Sequence, residues 1–589
     1  MLKELEFPFD NDEIMRSKRK LLRILKEREG GIPLRIAVLG GSTTSDIVKV
    51  VELFLRDRGI IPTFYESEYA QYQSDALFGN PELDAFKPEI VFIHTTSRNI
   101  EELPEINENP ESVNSKAERE SARFEAIWKA LSERYGCIII QNNFELPSER
   151  LMGNREASSG RIDFISRLNA QIYEYARNHK SFYVNDLNYL AARYGLERWH
   201  EERHWHLYKY AMSVSAIPDV AHSVASIICS VMGRNKKVLA LDLDNTLWGG
   251  VIGDDGISGI EIGSETSEGQ SFLALQKYIK RMKDLGILLT VCSKNDMENA
   301  IEGLNHPDGA LKPSDFVCIK ANWDEKWRNL EETARELNLL PESIVFVDDN
   351  PAEREIVRAQ LPEVTVLDFD SPEECLRVLD GCGLFEVTTL SEDDAKRGEM
   401  YRANAQREEQ SKRFESYDDF LESLEMRAEI GDFEPIHIPR ITQLTNKSNQ
   451  FNVTTKRYTL AEMEEVAAST DYVRLCGRLT DKFGDNGIVS VVIGKRDNAA
   501  LHLDLWLMSC RVLKRGMEFA MLNTLVAKCR ELGIREIFGY YFPTKKNAMV
   551  KDLFAEFGFT KTSEDEGNSV WKLNVEAFDP IDTKIQIGE

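Results

Sequence analysis

Over the first 230 or so residues, short and almost wholly apolar runs alternate with longer amphipathic stretches. The runs at 36–40 (IAVLG), 89–94 (EIVFIH), 137–141 (CIIIQ) and 181–184 (SFYV) read as buried strands, and 43–58 and 115–134 as helices. Buried strands separated by helices build a parallel sheet covered on both faces. A second cycle opens at 236–246 (KKVLALDLDNT) and runs to about residue 384. Its strands are VLAL, GILLTVC (286–292), DFVCI (315–319), SIVFV (343–347) and VTVLDF (364–369). The charged stretch 392–414 then reads as a solvated linker helix. Beyond it the period changes. Residues 477–495 read as two strands around a Gly-Asp-Asn-Gly hairpin turn, 501–509 and 534–541 as further strands, and 515–532 and 546–556 as helices. The expected fold is therefore two successive doubly wound α/β domains, 1–232 and 233–384, followed by the linker helix and an α+β domain in 385–589.

Length and composition narrow the function classes. A chain of 589 residues exceeds what one core serves, and 42% apolar with 29% charged residues is ordinary globular usage. No uninterrupted run of 18 apolar residues occurs, and the mixed-charge start MLKELEFPFDNDEIM lacks the apolar stretch of a signal peptide. The nine cysteines are scattered without a C-x-x-C pair, as in reduced thiols of a cytoplasmic protein. A formal charge of −26 argues against nonspecific attraction to nucleic acid or to an anionic membrane. It leaves room for a phosphorylated substrate, because one bound metal ion reverses the field locally.

The middle domain carries the strongest chemistry. Asp242 and Asp244 end its first predicted strand, Ser293 its second, and Asp348–Asp349 its fourth. Open α/β sheets place their ligands at such carboxyl ends. Residues two apart on an extended chain project to one side, so Asp242 and Asp244 are expected to face one bound group. Asn350-Pro351 reads as an N-cap and first helical position, which would fix the acidic pair in a turn before a helix. Converging carboxylates repel unless a cation holds them, and magnesium suits such oxygens together with a phosphate. Asp242 could attack phosphorus, Asp244 could move the leaving-group proton, Ser293 could donate to a phosphoryl oxygen, and Lys326 could neutralise developing charge. The gaps from Asp244 to Ser293 (a hairpin at 248–262, a helix and a strand) and from Ser293 to Asp348 leave no space for a cap domain. The site is then open to a bulky or carrier-tethered substrate, or closed by a neighbouring domain.

The segments LDLDNTLWGG (241–250), VCSKND (291–296), NWDEKWRNL (322–330) and FVDDNPAERE (346–355) resemble the haloacid-dehalogenase (HAD) superfamily, in particular its FkbH-like, subfamily IIIC branch. The resemblance implies Asp242 as nucleophile, Asp244 as general acid/base, Thr246 as support of the first loop and Lys326 as the lysine of the third motif. It also implies a magnesium site from Asp242, the Asp244 carbonyl and Asp348 or Asp349, with Asp349 preferred.

The flanking domains carry weaker signals. Gly40-Gly41-Ser42-Thr43 after the first strand resembles the start of SGNH hydrolases, with Gly41 where they carry Asp. Asn99 would stand for their oxyanion-hole residue and Glu201-Glu202-Arg203-His204 for their Asp-x-x-His. With two parts drifted, this domain is expected to be degenerate, and the aromatic stretch 199–206 to serve packing. The C-terminal domain resembles the GNAT acetyltransferase fold. Arg511, Arg515 and Gly516 fall in the loop that in such enzymes cradles a pyrophosphate at a helix N-terminus, with Lys514 in place of the middle glycine. Cys510, beside Arg511, is either a thiolate able to accept an acyl group or a core cysteine. LTNKSNQFNVTTKRY (444–458) reads as an anion- or acyl-recognition loop, or equally as a capped surface turn.

The FkbH-like resemblance implies a phosphorylated three-carbon acyl donor of the 1,3-bisphosphoglycerate type. Its glyceryl unit would pass to the thiol of a separate acyl carrier protein, and its phosphate would be removed at the HAD site. A plain phosphatase acting on a sugar-phosphate or polysaccharide precursor, and a non-enzymatic scaffold, are the alternatives.

Overall fold

A computed structural model describes residues 2–390, 396–448, 450–544 and 546–588, without the side chains of Ala405, Glu408 and Glu409. The chain divides into two compact units. The first comprises Met1–Arg234 and Cys382–Thr388, and the second Asn235–Gly381 and Thr389–Glu589.

The first unit is built on a five-stranded parallel sheet of β1 (Ile32–Gly40), β2 (Ile60–Glu66), β3 (Ile90–His94), β4 (Ile138–Asn142) and β5 (Phe182–Asn185), in the order β2-β1-β3-β4-β5. The apolar runs became strands as expected, but β2 has no such run. Its Pro62 is tolerated because β2 is an edge strand, where a missing N–H breaks no ladder bond. The long helix starts earlier than the apolar period implies, at Pro110, because Asn109 caps it; it ends at Tyr135, where Gly136 supplies a left-handed residue. The segment Val214–Val231 is long and apolar enough to cross a membrane, yet 72% of it is buried in the protein. It packs on the sheet with Leu53, Phe54 and Ile60. The stretch Cys382–Thr388 returns to this unit, where Arg58 donates to the carbonyls of Cys382 and Gly383.

The second unit holds two sheets. One is parallel: β6 (Val238–Leu241), β7 (Leu288–Ser293), β8 (Cys318–Ala321), β9 (Ile344–Val347) and β10 (Thr365–Val366), in the order β10-β9-β6-β7-β8. β6 is central, paired in register with β7 (Leu241↔Val291) and β9 (Leu241↔Val347), so three strand ends open side by side. The predicted hairpin at 248–262 is instead a loop closed by the Gly249–Glu261 pair around a short helix, Ile252–Asp255. Neither insertion between the strand ends holds a further domain.

The other sheet is mixed and eight-stranded: β11 (Met426–Gly431), β12 (Tyr472–Asp481), β13 (Gly484–Asp497), β14 (Ala500–Met508), β15 (Glu536–Tyr541), β16 (Thr560–Asp565), β17 (Asn568–Asn574) and β18 (Ile585–Gly588). With the helix Met517–Glu531 packed on it, this is the expected α+β layer. The turn between β12 and β13 lies at Lys482-Phe483, not at Gly-Asp-Asn-Gly. Those four residues open β13, where Asp485 pairs with Arg478 across a bulged ladder.

Two further expectations are corrected. The described part of 392–414, the helix Arg397–Ser411, is not solvated. Met400, Tyr401 and Arg407 are buried, and Tyr401 belongs to the core of the parallel sheet; residues 392–395 lie outside the described residues. Within 444–458, the segment 451–454 is buried and is not a surface turn. β14 and β15 pair only from Ala500↔Glu536 to His502↔Phe538 and then diverge. The chain fills the opening itself: Val453 N–H donates to the Trp506 carbonyl, Met508 N–H to Phe451, and Phe542 N–H to Val453. Asn449 of that stretch lies outside the described residues.

Candidate active site

The three strand ends gather the acids. Asp242 follows β6, and its N–H donates to the Val347 carbonyl at 2.9 Å, tying it to the end of β9. Asp348 and Asp349 follow β9 directly, and Asn350 caps the helix Pro351–Gln360 behind them. One oxygen each of Asp242, Asp348 and Asp349 lie within 4.8 Å of one another. Asp242 and Asp348 are buried, and Asp349 is half-buried.

Lys326, the first residue of the helix Lys326–Glu336, reaches into this group. Its ammonium lies 2.6 Å from Asp348 Oδ2 and 3.1 Å from Asp242 Oδ1. Burial alone would lower its pKa, but the two carboxylates outweigh that and hold it above the ordinary lysine range. Asp348 is pushed up to about 6, by burial first and by the Asp242 charge second, against the pull of Lys326. Asp349 is raised by the same two causes. Asp348 uses both oxygens, on Lys326 and on the Asn350 N–H, while Asp349 exchanges hydrogen bonds with Thr246. These bonds tie Thr246 to the turn after β9. Ser293 ends β7 beside this group and is buried.

Asp244 lies in the turn after β6, which ends at Leu241 and continues through Asn245 with a φ of +54°. Asp244 Oδ1 accepts from Trp248 Nε1 (2.9 Å) and the Ile252 N–H (3.1 Å), and Oδ2 accepts from Asn295 Nδ2 (2.9 Å). Its carboxylate is outside the three-acid cluster, so a metal-binding part for Asp244 falls to its backbone carbonyl. Burial raises its pKa, the condition a proton donor needs near neutrality. Trp248 and Asn295, which hold the Asp244 carboxylate, were missed by the strand-end reasoning, although both lie inside the quoted motifs. Trp323, 71% exposed, donates its indole N–H to Asp296 beside Asn295.

The cluster fits a magnesium ion by its donor set. Three carboxylate oxygens converge where a single ammonium offsets only part of their charge, and hard oxygen donors are what magnesium takes.

The C-terminal residues are placed differently from expectation. Cys510 is half-buried, 3.8 Å from the Tyr401 hydroxyl, in a short turn (Cys510–Val512) and not at a long helix N-terminus, which comes only at Met517. The Arg511 guanidinium donates to Ser509 Oγ and contacts Met400 sulfur. Arg515 is turned inward onto Asp481 (3.2 Å) and Asn404 (2.8 Å), so its charge is neutralised within the fold. Gly516 takes φ +81° as the cap of the helix Met517–Glu531, with open space where a side chain would be.

In the first unit, Ser42 Oγ is buried without a hydrogen-bond partner. A Cβ at position 41 would fall 2.3 Å from Asn99 Nδ2, which donates to the Gly41 carbonyl. Asn99 therefore fills the space where hydrolases carry Asp. His204 pairs with Glu201 at 2.9 Å. Trp199 is core, while Trp205 is covered by Arg98 and Lys209.

Residues 35–229 match the family model of the FkbH N-terminal domain. Among curated proteins no sequence matches significantly. Among solved structures, the chain is similar to the N-terminal part of a Bacteroides fragilis protein containing a phosphatase domain complexed with Mg, at 28% identity and a TM-score of 0.59, over 63% of this chain and 99% of that one. Matches of lower similarity include the Escherichia coli ribosomal-protein-S18-alanine N-acetyltransferase, at 12% identity and a TM-score of 0.21 over 25% of this chain and 94% of that one. The GNAT domain of S. lividans PAT gives 16% and 0.21, over 26% of this chain and 94% of that one. The family-model match and the B. fragilis match support an FkbH-like protein with a HAD-type phosphatase site.

Proposed function

We propose that this protein is a magnesium-dependent phosphoryl-transfer enzyme acting through Asp242. The observation that carries the reading is the convergence of Asp242, Asp348 and Asp349 beside Lys326 at three adjacent strand ends. A magnesium ion held by Asp242, the Asp244 carbonyl and Asp349 would offset phosphate charge. Asp242 Oδ attacks phosphorus, the P–O bond to the leaving group breaks, and Asp244 supplies the proton that the leaving oxygen takes. Asp244 then removes a proton from water, which attacks the aspartyl-phosphate and releases inorganic phosphate. Lys326 holds Asp242 in place and offsets charge on the transferring group, and Ser293 lies where a phosphoryl oxygen would be.

Within this reading, the substrate we favour is a phosphorylated three-carbon acyl donor, with Cys510 as the acyl acceptor. The Cys510 thiolate attacks the acyl carbon and expels the acyl phosphate as inorganic phosphate. The thiol of an acyl carrier protein then displaces Cys510, and the remaining phosphate ester is cleaved at Asp242. What favours this over a plain phosphatase is that Cys510 lines a cavity whose described lining includes five cations and one acid. The cytoplasm, where such a donor and carrier occur, is the matching compartment.

Leaving-group dependence tests the phosphatase step. Asp244→Asn should slow hydrolysis of an alkyl phosphate far more than of p-nitrophenyl phosphate, whose leaving group needs no proton. Equal slowing of both substrates would contradict the assigned role.

A further inference from the structure

Within the second unit, the residues just before β6 and β9 meet the helices Arg397–Ser411 and Ile438–Lys447 and the turn after β14 around a cavity of about 100 Å³. Of its described lining residues, Lys237, Arg397, Arg440, Lys447 and Arg511 are cations, and Glu342 is the acid, itself paired with Lys546. Lys237 carries the argument. Its side chain makes no hydrogen bond or ion pair with the described residues, and burial lowers its pKa; Arg397 and Arg511 add to that, while Cys510 and Glu342 oppose it. A half-buried ammonium facing a cavity with more cations than acids in its described lining is stabilised by an incoming anion. The volume is roughly three waters' share of liquid, enough for a phosphate group with the rest of its molecule toward the mouth. Cys510 Sγ opens on the same space.

This cavity is separate from the acid cluster. Lys237 precedes β6 and Asp242 follows it, five residues apart, or roughly 16 Å along an extended strand. One phosphate cannot touch both ends.

We propose that this cavity is a second phosphate-binding site, which takes the phosphate group of a small molecule beside Cys510. It stands apart from the acyl-transfer reading, since phosphate can bind here whether or not Cys510 carries an acyl group.

Alkylation of Cys510 in the full-length protein, followed by peptide mass mapping, tests the proposal. A free thiol reacts faster with neutral iodoacetamide than with anionic iodoacetate. In this cavity iodoacetate should react at least as fast, and inorganic phosphate should slow both reagents. Lys237→Met should lower the iodoacetate rate roughly tenfold, in line with the local enrichment of anions by a cationic cleft, and weaken the phosphate protection. Its iodoacetamide rate and aryl phosphatase activity should stay near wild type, which also checks folding. Arg440→Gln, on a different element, should act in the same direction. The proposal is overturned if phosphate gives no protection, if the iodoacetate preference survives both variants, or if Cys510 reacts with neither reagent, since the cavity would then be closed to solutes.

Discussion

Lys326 lies between two buried carboxylates, and a third, Asp349, adds its charge to the same few ångströms. This arrangement makes the metal-free site pH-sensitive in a defined direction. Asp348, like Asp244 and Asp349, holds its proton more tightly in the folded chain than its ordinary value of 3.8 implies. The folded state then binds more protons than the unfolded one, so stability from this site is full below that value and is lost as the pH rises through about 6. Magnesium needs the deprotonated acids. The rise in Tm that magnesium produces should therefore grow between about pH 5 and 7 and be small below. A magnesium effect that stays constant or shrinks with rising pH would remove the acid cluster as the binding site. The acids themselves were legible in the sequence, because each follows an apolar run that could only be a strand. The orientation of Asp244 was not. It depends on Trp248, the Ile252 N–H and Asn295, which hold its two oxygens and which no periodicity records.

At the scale of elements, the least legible features are those that lack an apolar period. The helix Arg397–Ser411 is charged nearly all round, and only Met400, Tyr401 and Arg407 reveal burial. Arg407 and Arg515 both pair with Asp481, whose side chain is fully buried, at 2.6 and 3.2 Å. The helix, the end of β12 and the loop after β14 are thereby locked around one carboxylate. Asp481→Ala should cost about 3–5 kcal/mol, because it leaves two buried guanidinium groups without an anion. Thermal or denaturant unfolding of the second unit would report this, and a cost under about 1 kcal/mol would mean the cluster is solvated. The 451–454 segment was equally hidden. Its polar residues read as a loop, whereas its backbone serves as a strand between β14 and β15, and Asn547 anchors it by donating to the carbonyls of Asn452 and Phe542. The pyrophosphate cradle before the helix Met517–Glu531 is what the GNAT resemblance implies, and the inward turn of Arg515 onto Asp481 shows that a resemblance in sequence does not fix where a long side chain finds its counter-charge.

For the whole molecule, the two units predict separable chemistries. Ser42→Ala should leave phosphatase and any transfer activity within a few-fold of wild type, because Asn99 occupies the space a catalytic Asp would need and Ser42 Oγ is hydrogen-bonded to no base. Covalent capture of Ser42 by a fluorophosphonate probe would contradict this. Cys510→Ala should abolish acylation of a carrier protein while hydrolysis of a simple phosphate continues, since the thiol and Asp242 lie at opposite ends of β6. Intact-protein mass spectrometry with the acyl donor should find a glyceryl adduct on wild type and none on the variant. If the carrier is still acylated by the variant, Cys510 is a core residue.

The central claim, that Asp242 is the nucleophile of a magnesium-dependent phosphatase, is tested most directly by the rate of aryl phosphate hydrolysis in wild type and Asp242→Asn, each with magnesium and with excess chelator. The account predicts turnover only in magnesium-loaded wild type, with Asp242→Asn slower by several orders of magnitude, as expected when one member of a coupled catalytic unit is removed. Hydrolysis that persists in chelator, or in Asp242→Asn at a comparable rate, would contradict it.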